Sequence, residues 1–255
     1  MEISLSINPK REIKKIADFL KRVRKSTGIN NIVIGQSGGI DSATCFYLIK
    51  QIYPPENIYP AILNYYPKDN RVIKNMFFEA KIPRQNILDI SIKPMVEELQ
   101  KRLDPDNTSP VRKGNLMARV RMTVLFDLAK KIDGLVCGTE NKSEHFLGYF
   151  TRFGDAASDV EPITHLYKTQ IVQLAKYLKV PTEIIKAAPT AGLWDGQTDE
   201  KELGFTYREA DQVLYLYLDK KIKVEKIIKM GFKKTEKIID QVKNNQFKHK
   251  VPYFI

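Results

Sequence analysis

Cysteine is nearly missing from this chain: its 255 residues include two, Cys45 and Cys137, far apart and without CxxC spacing. That excludes a disulfide framework and a thiolate-held zinc or iron–sulfur centre. Long apolar runs are missing as well. No stretch approaches the roughly 20 residues needed to span a bilayer, and residues 1–25 lack the apolar core of a signal peptide. Internal repeats and low-complexity segments are absent. Negative charge is in short supply, with 30 acidic against 42 basic residues and a net charge of +12. Such a balance suits nucleic acid or substrates carrying several phosphates. The lysines concentrate in residues 10–25 and 220–250, however, where they alternate with apolar residues at helical spacing and read as solvated helix faces. The expectation is a cytoplasmic enzyme of one domain, residues 1–255, with neither membrane nor nucleic acid as partner.

What is present is a regular alternation. Ile13, Ile16, Ala17, Leu20 and Val23 recur at helical spacing and predict an opening amphipathic helix. Short apolar strands follow at 31–35, 58–63, 87–90 and 135–137, with helical stretches between them at 41–51 and 114–131. Later helices are expected at 207–218, 224–230 and 235–242, ahead of a polar tail. Strands alternating with helices predict α/β architecture, a parallel sheet with helices on both faces and a helical C-terminal part. Ligands on such sheets sit at the carboxyl ends of the strands. Residues 64–70, 104–113 and 187–204 are rich in Pro, Asp, Asn, Thr and Gly and read as loops.

The sharpest local signal is Gly35-Gln36-Ser37-Gly38-Gly39-Ile40-Asp41-Ser42, between a strand and a helix. Glycines let the backbone turn tightly and a phosphate approach the amides, and the following helix offers free N–H groups and the positive end of its dipole. Ser37 and Ser42 add hydroxyl donors. Asp41 would repel phosphate, so its natural role is to hold a Mg²⁺ that bridges phosphates. The bland alternative is a glycine turn with Asp41 and Ser42 capping a helix. No lysine stands in the loop, which departs from the GxxxxGK[ST] pattern of common NTPases.

The loop resembles the SGGxDS signature of the PP-loop ATP pyrophosphatases. That resemblance implies cleavage between the α and β phosphates of ATP. Further segments resemble those of one branch, the ammonia-dependent NAD synthetases. Lys113-Gly114-Asn115 with Ala118-Arg119-Val120-Arg121-Met122 is similar to KGNxxARxRM, and Gly138-Thr139 to Glu144 is similar to GT(x)4E. Gly148-Tyr149-Phe150-Thr151-Arg152-Phe153-Gly154-Asp155, running on to Asp159, is similar to GYFTKFGDGxxD. Lys168 opens a helix. Ala188-Pro189-Thr190 through Gly204 is similar to APTAxLWxGQTDExELG, and His249-Lys250 to a C-terminal HK pair.

The resemblance implies a ligase that amidates deamido-NAD with ammonia through an acyl adenylate, releasing AMP and pyrophosphate. It places residues 35–42, Thr139, Lys168 and Thr190 at ATP, with Asp41 and Lys168 catalytic. Asp41 and Glu144 would share Mg²⁺. Arg119, Arg152, Asp159, His249 and Lys250 would contact deamido-NAD, often across a homodimer interface. Three departures stand out: Arg152 for lysine, which keeps charge but changes geometry, Ala156 for glycine, and Glu140-Asn141 after Gly138-Thr139. Residues 64–70 match weakly and receive no role.

Blander readings stand beside these. Arg119 and Arg121 are two apart and do not share a helix face, Glu144 could be an ordinary acid of a first helical turn, and His249-Lys250 could be a solvated terminus. His145 and His165 read as structural, and Trp194, Tyr215 and Tyr217 as packing residues. The rival activities are amidation of nicotinate mononucleotide, a tRNA-modifying PP-loop enzyme and a non-catalytic nucleotide-binding module. With one helix ahead of Gly35 and no cysteine placed as a nucleophile, the expected nitrogen source is free ammonia.

Overall fold

The computed structural model describes residues 3–104, 109–194 and 196–253. Four parallel strands form its sheet: β1 (Asn31–Gly35), β2 (Ile58–Asn64), β3 (Leu88–Ser91) and β4 (Gly134–Cys137), in the order β3-β2-β1-β4. The register aligns Gly35 with Ala61 and Ile34 with Cys137. Chain order reverses direction between β1 and β4. At that switch point the connections after the two strands leave in opposite directions and open a crevice. The loop after β1 and the turn after β4 face each other across it.

Capping chemistry sets the helix ends. In α1 (Pro9–Thr27), the Asn8 side chain accepts from the Arg11 N–H, proline occupies the first turn, and Gly28 ends the helix at φ 71. Every residue of α2 (Ile40–Ile49) except Asp41 is buried, as expected for a helix apolar all round. The chain continues through α3 (Arg71–Glu79), α4 (Lys93–Leu103) and α5 (Pro110–Lys131). Helix α5 starts earlier than its apolar spacing predicts. Ser109 caps it by accepting from the Arg112 N–H, and Pro110 takes a first-turn position where a missing N–H costs nothing. The loop expected at 104–113 is thus partly helix, and its residues 105–108 lie outside the described residues.

After β4 come α6 (Lys142–Leu147), α7 (Lys168–Tyr177), α8 (Thr182–Lys186), α9 (Asp199–Leu203), α10 (Tyr207–Leu214), α11 (Val224–Lys229) and α12 (Thr235–Asn245). The helix expected through 218 holds α geometry only to Leu214 and then widens into a π-type turn, Tyr215–Asp219. Helices α1, α2 and α7 pack on one face of the sheet around Ile16, Leu20, Phe46, Ile171 and Leu174. Helices α4 and α5 cover the other. A separate cluster of Leu203, Phe205, Val213, Leu214, Ile227, Ile238 and Ile239 joins α10, α11 and α12. It abuts the sheet layer through α6 and α7, which carry Glu144 and Lys168. No described helix is long and apolar enough to cross a membrane.

Candidate active site

The loop after β1 is held from within. Gln36 is buried and its amide donates to the Ser42 carbonyl at 2.9 Å, while the Ser37 and Ser42 hydroxyls lie 3.3 Å apart. Gly38 sits at φ 80, where a side chain would be strained and would meet Ile73. Gly39 is the N-cap of α2 and brings no side chain to occupy the first-turn N–H groups. Ser37 Oγ takes only the Gly39 N–H, at 3.1 Å. The amino end of a buried ten-residue helix is left open to an anion.

Across the crevice, Lys168 Nζ lies 2.5 Å from Asp41 Oδ2 and 2.9 Å from Glu144 Oε1. The lysine is 5 % exposed and opens α7. A cation at the positive end of a helix dipole is locally unfavourable, so the two carboxylates that hold it there outweigh the local preference. Burial alone would lower the Lys168 pKa; Asp41 and then Glu144 reverse this and hold it above the usual lysine value. Glu144 is pushed up to about 8 by burial, a rise that Lys168 only partly offsets.

Supporting groups fix these three. Asn141 caps α6 by accepting from the Glu144 N–H at 3.0 Å and donates to Asp41 Oδ1 at 3.0 Å, joining the strand ends on both sides of the crevice. Asp211 of α10 is fully buried. It accepts from Ser143 Oγ and from the Thr169 N–H at 2.8 Å, and Ser143 in turn accepts from the Lys168 N–H at 2.9 Å. One carboxylate thus ties the helix bearing Glu144 to the helix bearing Lys168. Asp199 adds a third acid to the neighbourhood: Tyr207, whose ring lies 5.1 Å from Lys168 Nζ, donates to Asp199 Oδ2 at 3.1 Å. Asp199 Oδ1 is buried without a hydrogen-bond partner among the described residues, and burial raises this carboxyl.

Asp41 and Glu144 therefore bond a single ammonium, and Asp199 lies near enough to feel its charge. The excess negative charge, the orphan oxygen and the raised Glu144 fit a site built to receive a further cation. Among the described residues no group of three or more His, Cys, Asp or Glu is placed to hold a metal ion. The fit is to Mg²⁺, which takes one or two carboxylates and completes its shell with water and phosphate oxygens.

The remaining expected residues spread outward. Thr139 follows β4 at the crevice edge, half-buried beside Gly138, where any side chain would run into the Glu161 carboxyl. Thr190 is exposed and accepts the Gly192 N–H; the segment carrying it is tied down by the Asp199 N–H on Pro189 O and by Leu193, which packs where Gly114 leaves α5 bare. Arg119 is exposed and donates to the Arg152 carbonyl at 3.4 Å, and the Arg152 guanidinium lies 5.2 Å from the ring of Phe247 in the tail. His249 packs 4.2 Å from His145 and 5.4 Å from Phe150, centroid to centroid, while Lys248 donates to the Gly148 and Phe150 carbonyls. The tail is therefore docked, not solvated along its length, although His249 and Lys250 themselves are exposed. Arg119, Arg152 and the tail form one neighbourhood. No described contact brings Asp159 to it; that carboxylate accepts the Val136 N–H of β4 at 2.7 Å.

Four supporting residues escape motif reading. Asn141 and Ser143 bond the central residues directly, Tyr207 lies beside Lys168 and Asp211 acts through Ser143 and Thr169; only the N-cap pattern of Asn141 ahead of a helical stretch is a local signal. Arg121, a surface charge on one reading, is the half-buried arginine of its pair and donates to the Leu63 carbonyl at 2.9 Å.

Against known proteins, the family model "NAD synthase" matches residues 12–252. A curated NH(3)-dependent NAD(+) synthetase of Fusobacterium nucleatum is 39% identical over 250 residues, spanning 97% of this chain and 96% of that one. Among solved structures, an NMN synthetase from Francisella tularensis superposes with a TM-score of 0.83 at 34% identity, covering 98% and 99% of the two chains. An NH3-dependent NAD synthetase from Campylobacter jejuni superposes with a TM-score of 0.80 at 27% identity, covering 98% and 100%.

Proposed function

The chain belongs to the NAD synthase family, and from that premise we propose that it is an ATP-dependent ligase that amidates deamido-NAD with ammonia, yielding NAD, AMP and pyrophosphate. The observation that carries this reading is the Lys168–Asp41–Glu144 cluster at the open amino end of α2. A carboxylate does not react with ammonia at neutral pH because its oxygen leaves poorly; transfer of AMP onto it creates a good leaving group. The chain's task in that step is positioning and charge neutralisation. The amides of residues 37–40 and the Ser37 and Ser42 hydroxyls seat the phosphates, and Lys168 turns from its carboxylates toward the departing pyrophosphate. Asp41 and Glu144 would hold Mg²⁺, whose contribution is to neutralise phosphate charge. Thr139 and Thr190 serve as neutral donors to ATP, with residues 187–204 excluding water from the adenylate. Arg119, Arg152, His249 and Lys250 take the anionic dinucleotide, with the Asp159 carboxylate accepting from a ribose hydroxyl. The exposure of Arg119, His249 and Lys250 favours completion of this half-site by a second copy of the chain.

A second reading, amidation of nicotinate mononucleotide, is favoured by the likeness to the Francisella NMN synthetase. Product analysis with ATP, ammonium and each acid in turn separates the two. The expected result is NAD, AMP and pyrophosphate in equal amounts from deamido-NAD, with little turnover when glutamine replaces ammonium. Release of ADP and phosphate would sink both readings, and preferential amidation of the mononucleotide would select the second.

A further inference from the structure

The carboxyl end of β2 lies on the other side of the phosphate loop from Lys168, and two basic residues there have no part in the mechanism above. Lys68, in the loop between β2 and α3, donates from Nζ to the Ser37 carbonyl at 2.6 Å. Its ammonium also lies 3.1 Å from where a side chain on Gly38 would begin. Arg121, on α5, donates its Nε–H to the Leu63 carbonyl at 2.9 Å. Neither Lys68 nor Arg121 forms an ion pair with any described residue. That is unusual for a site with Asp69 next in sequence, but Asp69 instead turns to Arg71, at 2.7 Å. A lysine ammonium has three donors, and the bond to Ser37 uses one. Desolvation against the loop and the charge of Arg121 both push the Lys68 pKa below its usual value, although the residue as a whole is exposed. Asp155 acts on Arg121 through charge, yet no carboxylate bonds either cation among the described residues, and two neighbouring cations without a bonded acid point to an anion as the missing partner.

We propose that Lys68 is a second phosphate-binding cation, which reaches over the loop at Ser37–Gly38 to hold the pyrophosphate half of the nucleotide opposite Lys168, with Arg121 supporting it electrostatically. The inference rests on the ATP-cleaving reading of the loop. A pyrophosphate seated on the amides of residues 37–40 is then flanked by ammonium groups on both sides. The phosphate loop has no lysine in its own sequence, and this arrangement supplies one from each wall of the crevice.

The two lysines differ in kind. Lys168 is buried and already bonded to two carboxylates, so it must exchange partners to meet phosphate. Lys68 is exposed and bonded to a neutral carbonyl, so it meets phosphate without giving up an ion pair. Its contribution falls on nucleotide and product affinity, and the dinucleotide side is untouched.

The test uses the full chain, with inorganic pyrophosphate plus Mg²⁺ as probe in calorimetric titration, alongside steady-state kinetics. Lys68→Met should weaken pyrophosphate binding about tenfold and raise the KM for ATP similarly, with the KM for the acid substrate and the melting temperature unchanged. Lys68→Arg should recover most of the affinity, and Lys74→Met, on an exposed lysine paired with Asp89, should do nothing. Unchanged pyrophosphate affinity in Lys68→Met overturns the proposal, as does an equal rise in the KM for both substrates. Failure of the underlying reading would show differently, as a wild-type chain that does not turn over ATP with ammonium and either acid.

Discussion

Lys168 and His249 stand at the two ends of one proposed reaction path, and the protein treats them in opposite ways. Lys168 is 5 % exposed, bonded to two carboxylates and backed by Asn141, Ser143, Asp211 and Tyr207. His249 is exposed and packs against the rings of His145 and Phe150. The proposed adenylation centre is thus held by fixed hydrogen bonds, as stabilisation of transition-state charge demands. The side proposed for the dinucleotide gathers Arg119, Arg152, His249 and Lys250 around a docked tail, an arrangement suited to recognition.

The sharpest break of that contrast is Lys168→Ala. It should lower the rate of ATP–pyrophosphate exchange about 10³-fold, as expected when a preorganised charge is lost, with the far-UV circular dichroism spectrum unchanged. Near-normal exchange would mean that the centre has been misplaced. Next comes Asp211→Asn, which leaves every substrate-facing group in place but loosens α6 against α7. A rate loss of roughly 10- to 100-fold, with a higher Mg²⁺ requirement for ATP and an unaltered KM for deamido-NAD, marks a positioning role. Equal changes for both substrates would make Asp211 merely structural. Truncation after Asn245 probes the other region. The KM for deamido-NAD should rise about tenfold, roughly 1.4 kcal/mol, while that for ATP moves less than about twofold; parallel effects would show that the tail serves folding.

The smallest effect concerns the boundary between the regions. Glu161, beneath Gly138-Thr139, accepts from Ser158 Oγ at 2.7 Å and the Glu140 N–H at 3.2 Å, and burial pushes it up to about 8. A carboxyl raised on folding contributes stability that is complete below its unfolded value, near 4.5, and is lost as pH climbs through 8. Glu161→Gln should therefore match the wild type near pH 4 and exceed it near pH 9. The gain should be about 1 kcal/mol, less than the full shift because the residue stays partly exposed. Urea unfolding at the two pH values measures it, and a gain that is the same at both would refute the assignment.

Much of this architecture was legible beforehand because its signals are local. The apolar runs at 31–35 and 135–137 read as buried strands, and their alternation with helices announced a parallel sheet with ligand sites at its carboxyl edge. The glycine-serine turn before α2 was legible as an uncapped helix end after a tight turn, the feature on which the proposed anion site rests. Helix ends were less legible: α5 begins at Pro110 because Ser109 caps it, a signal that periodicity does not register.

The chain's own order of residues thus determined its glycine-serine loop and its strands, because each is a pattern within about ten residues. Tertiary structure alone decided which charges meet. Lys168 lies 127 positions from Asp41, Ser143 is 68 from Asp211, and Lys68 is 31 from Ser37. Hydrogen bonds across such separations leave no period and no composition bias in the sequence. They exist because the sheet order β3-β2-β1-β4 brings the ends of β1 and β4 side by side, and because a buried charge stays only where folding delivers its partner.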